Sequence, residues 1–119
     1  MGKGTRRSGG QVSGTAPSHK AQAAFQQALA AHQQGQLDNA EASYREALRI
    51  QPGYFEALLF LGHLYLQQGR IREAGEATGK AIAINRDHPV AHFNLGMTRL
   101  REGAQAEAMA SFERAITLY

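Results

Sequence analysis

Residues 55–88 read FEALLFLGHLYLQQGRIREAGEATGKAIAINRDH. Phe55, Leu58, Leu59, Leu61, Leu64 and Tyr65 recur at helical spacings up to Gly69. A glycine ends a helix readily, because it enters the left-handed C′ conformation without steric cost. Beyond it, Ile71, Ala74, Ala77, Ala81, Ile82 and Ile84 form the apolar stripe of a second helix. The stretch therefore predicts two helices folded back on each other at Gly69.

The same unit occurs on either side. Gly35, Gly69 and Gly103 are 34 residues apart, as are Ala40, Ala74 and Ala108, and Ala47, Ala81 and Ala115. Ile50, Ile84 and Leu118 keep that step, as do Leu48, Ile82 and Ile116. Tyr44 and Phe112 match across two steps with Thr78 between them, and Leu61-Gly62 returns as Leu95-Gly96. The units are 21–54, 55–88 and 89–119. A lone glycine inside a helix costs about 1 kcal/mol relative to alanine, so Gly62 and Gly96 at one phase point to close helix packing. The aromatic residues Tyr44, Tyr65 and Phe112 are expected between hairpins. Pro52 falls between units, and Pro89 suits the first turn of a helix. Arg72, Glu76 and Lys80, like Glu41 and Arg45, have the i, i+4 spacing of a solvated ion-pair face.

This pattern resembles the tetratricopeptide repeat: a 34-residue period, Leu-Gly in the first helix, Gly at the turn, and Ala opening the second helix. Tyr or Phe, a second Ala and a junction Pro complete it. The resemblance covers residues 21–119. It implies an all-α fold, a right-handed α-solenoid of three antiparallel helical hairpins with six helices. A heptad coiled coil is excluded by the recurring glycines. Departures are Ala24, Gln27 and Ala31 in the first helix, Thr78 for an aromatic, and Arg86 for proline. Ala24, Gln27 and Ala31 suit an N-terminal cap whose outer face meets water.

In this family the first helices of successive repeats line a concave groove. Carried onto this chain, the groove phases fall on Gln22, Phe25, Gln26, Leu29, His32 and Gln33 in the first unit. The second supplies Glu56, Leu59, Phe60, His63, Leu66 and Gln67. The third supplies Val90, Phe93, Asn94, Met97, Leu100 and Arg101. The expected partner-binding set is Phe25, Leu29, His32, Leu59, Phe60, His63, Phe93, Asn94, Met97 and Arg101. Relatives that clamp a chaperone's C-terminal carboxylate use Lys, Asn and Arg here. This chain has Phe25, Leu29, Phe60, Val90 and Asn94, which do not make that clamp. Asn94 alone does not make the asparagine ladder of sugar transferases with similar repeats. An apolar groove suits an amphipathic helix or an extended segment with apolar anchors.

Other classes are disfavoured. The chain has 119 residues and no cysteine, so it holds neither disulfide nor thiolate site. His88 and His92 have zinc-helix spacing, but no further ligand accompanies them. Ser43 and Ser111 sit mid-helix without a His–acid pair, and no glycine-rich phosphate loop occurs between a strand and a helix. The expectation is no enzyme, no cofactor and no metal. No apolar run reaches the length of a membrane span. Of the 13 basic residues, Lys3, Arg6, Arg7 and Lys20 precede the repeats, whose remaining basic residues are nearly balanced by 10 acidic ones. A nucleic-acid-binding face on the repeats is therefore disfavoured.

Residues 1–20 are expected to form a disordered basic Gly/Ser-rich leader, natural or left from cloning, because Val12 is their only large apolar residue after Met1. The chain is expected to be cytoplasmic and to bind a protein or peptide, with neither nucleic acid nor membrane as partner. The last helix, with Met109, Phe112, Ile116, Leu118 and Tyr119, is expected to leave an apolar strip along residues 104–119 that further chain, a partner or a second copy covers. The alternative function is a regulatory or substrate-positioning segment of a sulfo-, glycosyl- or methyltransferase whose catalytic domain lies elsewhere. That reading rests on the resemblance of the Ala- and Gln-rich texture to arrays preceding such domains.

Overall fold

The computed structural model describes residues 16–119. Lys3, Arg6 and Arg7 of the expected leader lie outside the described residues. The described part is all-α, with helices α1 (His19–Gln33), α2 (Leu37–Ile50), α3 (Phe55–Gln67), α4 (Ile71–Ile84), α5 (Pro89–Arg101) and α6 (Gln105–Leu118). They pack as the hairpins α1–α2, α3–α4 and α5–α6, and each hairpin stacks on the next.

Helix α1 starts two residues before the boundary expected from the repeat. The Ser18 side chain accepts a hydrogen bond from the Ala21 N–H and so caps the helix. Residues 16 and 18 are tied to the end of α2, where the Gln51 side chain accepts from the Ser18 N–H and donates to the Ala16 carbonyl.

Each hairpin turns at a glycine with positive φ: 76° at Gly35, 74° at Gly69 and 83° at Gly103. In the first turn the Gln36 N–H reaches the Ala31 carbonyl and the Gly35 N–H the His32 carbonyl. These two bonds define a Schellman C-cap, and the other two turns repeat it. At α5 the chain enters through Pro89, and His88 caps the helix by accepting from the Val90 N–H. With its Nδ1 so engaged, and His92 Nε2 donating to the Arg86 carbonyl at 2.7 Å, the two histidines act as local caps.

The small residues allow close approach, as their phase suggests. Ala40, Ala74 and Ala108 are fully buried or nearly so. A Cβ on Gly62 would lie 2.7 Å from Thr78 Oγ1, and one on Gly96 2.5 Å from the Phe112 ring. Thr78 thus occupies, above Gly62, the place that Phe112 takes above Gly96.

The two junctions between hairpins differ. At the first, Phe25, Tyr44, Tyr54 and Phe60 form an aromatic cluster, with Phe25 5.1 Å from Tyr54 and 5.6 Å from Phe60 between ring centres. Arg70 lies over the Tyr65 ring and pairs with both Glu41 and Glu73, linking the first hairpin to the second. Glu41 also pairs with Arg45 as its spacing suggests, whereas Arg72, Glu76 and Lys80 make no ion pair among the described residues. At the second junction the buried side chains include Asn94, facing the Leu59 carbonyl, and Thr98, beside Gly75. The main buried apolar cluster runs from Ala21 to Ala77, and of α5 only Met97 packs against it.

The expected polar N-terminal face is only partly realised. Gln27 is exposed, but Ala24 is buried and Ala31 packs half-buried against the core. A helix with so few large apolar residues must use its alanines for packing as well.

Candidate functional site

The concave surface is built by α1, α3 and α5, the first helices of the three hairpins. Leu29, His32 and Gln33 of α1, Leu59, Phe60 and His63 of α3, and Val90 and Asn94 of α5 surround one depression of about 370 Å³. Equivalent phases supply it: Phe60 and Asn94 are one period apart, and so are Leu29 and His63. Leu29 and Phe60 are half-buried, and Val90 is exposed, so the depression has accessible apolar walls.

Its polar end is organised around His32. The Tyr44 hydroxyl lies 2.8 Å from His32 Nδ1, and the Gln67 side-chain oxygen faces Nε2. Tyr44 is fully buried, and that burial pushes its phenol up to about 12. The His63 ring centre stands 5.9 Å from that of His32. Its pKa is lowered, first by partial burial and then by the neighbouring His32 charge. Asn94 is buried and directs its side-chain N–H₂ toward the Leu59 carbonyl at 3.5 Å.

Six of the ten expected partner-binding residues therefore meet in one place: Leu29, His32, Leu59, Phe60, His63 and Asn94. The other four do not. Phe25 is only 7% exposed and belongs to the aromatic core, as does Leu66 to the apolar core at 6%. Met97 packs half-buried against that core. Arg101 is exposed outside the depression. Phe93 is 50% exposed but turns toward Phe112, 5.6 Å away between ring centres.

Phe93 instead belongs to a second apolar surface at the C-terminal end. There Pro89, Val90, Phe93, Phe112, Ala115, Ile116 and Tyr119 enclose about 550 Å³ between α5 and α6. Ile116 is 75% exposed, while Ala108, Ser111 and Ala115 turn inward. Met109 is 62% exposed as well, so the apolar strip expected along residues 104–119 runs the length of α6, and at its C-terminal end it is shared with α5.

The sequence reading did not foresee that Tyr44 and Gln67 would hold His32. They lie 12 and 35 residues from it, and no local spacing signals such contacts. Among the described residues, no group of three or more His, Cys, Asp or Glu is placed to hold a metal ion. No helix among them is long and apolar enough to cross a membrane.

Six helices among the described residues, in three stacked hairpins with repeating glycine turns and a concave face made by the first helices, define a helical-repeat protein. Family models described as tetratricopeptide repeat match residues 31–92 and 89–119. The chain belongs to the tetratricopeptide repeat family. It is 36% identical over 89 residues to cytochrome c-type biogenesis protein CycH of Rhizobium meliloti (strain 1021), a match covering 67% of this chain and 22% of that protein. It is 28% identical over 86 residues to protein O-mannosyl-transferase TMTC3 of Homo sapiens, covering 71% of this chain and 9% of that protein. The chain thus spans less than a quarter of either relative. Among solved structures, the first TPR of Spaghetti (RPAP3) bound to HSP90 peptide SRMEEVD superposes with a TM-score of 0.82. That pair is 23% identical and covers 85% of this chain and 80% of the other.

Proposed function

We propose that this chain is a protein-interaction scaffold that binds a segment of a partner protein in its concave face. The observation that carries this reading is the convergence of six expected groove residues, from all three hairpins, on one partly apolar depression. An occupant lying there would touch α1, α3 and α5 at once. The similar RPAP3 domain was solved with a peptide bound, which supports a peptide-sized occupant. The lining here has no Lys or Arg, so the occupant differs from one held by a basic clamp. Residues 21–119 act as the interaction domain and the leader is dispensable for it. The chain itself is not an enzyme, and works in the cytoplasm without cofactor, nucleic acid or membrane.

Affinity capture with the full chain tests this. Partners retained by wild type and by Arg72→Ala, but lost by Leu29→Lys, support the groove. Partners retained equally by Leu29→Lys, with the fold intact by circular dichroism, overturn it.

A second contact is carried by the exposed face of α5 and α6. Phe93, Ile116 and Tyr119 present a contiguous apolar surface there, which favours association with a second copy of the chain.

A further inference from the structure

The groove reading leaves open the chemistry of the bound segment, and the two histidines bear on it. Among the described residues, none of the side chains lining the depression is Asp, Glu, Lys or Arg, and His32 and His63 are the titratable ones. They are not equivalent. Both ring nitrogens of His32 are engaged, by Tyr44 and by Gln67. The assigned Gln67 oxygen is an acceptor, which places the neutral ring's proton on Nε2 and leaves Nδ1 to accept from the Tyr44 hydroxyl. The His63 ring makes no hydrogen bond among the described residues and borders the open depression.

We propose that His63 is the docking point for the carboxylate of an Asp or Glu side chain in the bound segment, whose neighbouring large apolar side chain rests on Leu29, Phe60 and Val90. The proposal rests on the groove reading above. An acidic side chain is favoured over a chain terminus by position. His63 stands on the middle helix of three, so a segment crossing from α1 to α5 continues past it in both directions. Nothing anionic among the described lining groups repels the carboxylate, and no Lys or Arg among them competes for it. An imidazolium covered by the bound segment would lack a counter-ion, and the carboxylate supplies one through a charge-assisted hydrogen bond.

The arrangement makes binding depend on pH. Partial burial, and then the charge of His32 facing it from α1, hold His63 below the usual 6.5. The α5 lining residues, Val90 and Asn94, bring no charge. The carboxylate prefers the charged ring, so affinity rises as pH falls through the pKa of free His63 and levels off once the ring is charged. An uncharged analogue gains nothing.

The test is an NMR titration of the full chain with acetyl-Ala-Leu-Asp-Leu-Ala-amide and its Asn counterpart, at about pH 7.5 and about pH 5. The Asp peptide is expected to bind roughly tenfold tighter at the lower pH, shifting signals of Leu29, His63 and Asn94, and the Asn peptide less than about twofold. His63→Gln, with its fold checked by the backbone spectrum, should remove the gain and keep the Asn-peptide affinity. Saturation with the Asp peptide should also raise the His63 pKa, read from its ring signals. A gain that survives in His63→Gln, or that the Asn peptide shares, overturns the proposal. If both peptides bind the groove alike at both pH values, carboxylate docking is wrong while the groove reading stands. If neither peptide moves a groove signal, both fall.

Discussion

The Arg70 guanidinium meets the Glu41 carboxylate at 2.7 Å across the junction between the first two hairpins. A second bond from Arg70 to Glu41 is 3.2 Å long, and Arg45 and the Tyr65 hydroxyl also donate to that carboxylate. The Arg70 hydrogen bond is the largest cause holding the Glu41 pKa below 4.5; burial opposes it and Arg45 adds to it. A depressed carboxyl pKa gives stability that is present above the unfolded value and lost as pH falls through the folded one. Glu41→Gln is therefore expected to be less stable than wild type near neutrality. It should lose less on acidification below about pH 4.5. Thermal melts across that range check it, and parallel pH profiles for the two proteins would contradict it.

Gly69 should tolerate no β-branched side chain. Its φ is 74°, and a Cβ there would meet nothing within 4 Å, so the cost is purely one of backbone conformation. Gly69→Val should destabilise by about 1–2 kcal/mol, measured by urea denaturation. An unchanged midpoint would mean that the turn does not depend on the left-handed conformation.

Thr78 should accept valine. Its hydroxyl is fully buried and has no hydrogen-bond partner among the described residues. Removing an unsatisfied polar atom while keeping the shape should be neutral or stabilise by about 1 kcal/mol. Denaturation of Thr78→Val decides this, and a loss of similar size would point to an ordered water on Thr78 Oγ1.

The α5–α6 face should govern self-association. Ile116→Lys places a charge where the wild-type side chain is 75% exposed, so the monomer fold has little reason to change. Light scattering over a concentration series should show wild type growing toward a dimer and Ile116→Lys staying monomeric. Identical scattering from the two would remove this face as a contact between copies.

The hairpins could be read from sequence because each turn demands a glycine and each close approach demands a small residue, and both demands repeat in phase. Helix rotation was harder. Helix α3 buries Ala57, Leu58, Leu59, Leu61, Leu64, Tyr65 and Leu66, which lie around much of its circumference, so periodicity could not say which of them face the groove. Phe25 was drawn into the core by Tyr54 and Phe60, partners distant in the chain. Arg70 carries no pattern of its own, because its bond to Glu41 spans 29 residues. Phe60 packs on Phe25 and Tyr44, so its removal should weaken the fold as well as the groove.

The unequal junctions set an order of events. Aromatic rings and an Arg70–Glu41 ion pair join the first hairpin to the second, whereas the polar side chains of Asn94 and Thr98 stand among the buried residues where the third meets the second. Repeat stacks come apart at their weakest seam, so α5 and α6 should detach first and their amides should exchange with solvent sooner than those of α1 to α4. The depression draws Val90 and Asn94 from the detaching side and its other walls from the side that stays. A segment lying across it would therefore act as a clasp, slowing the release of the third hairpin and making occupancy readable as protection of helices it scarcely touches.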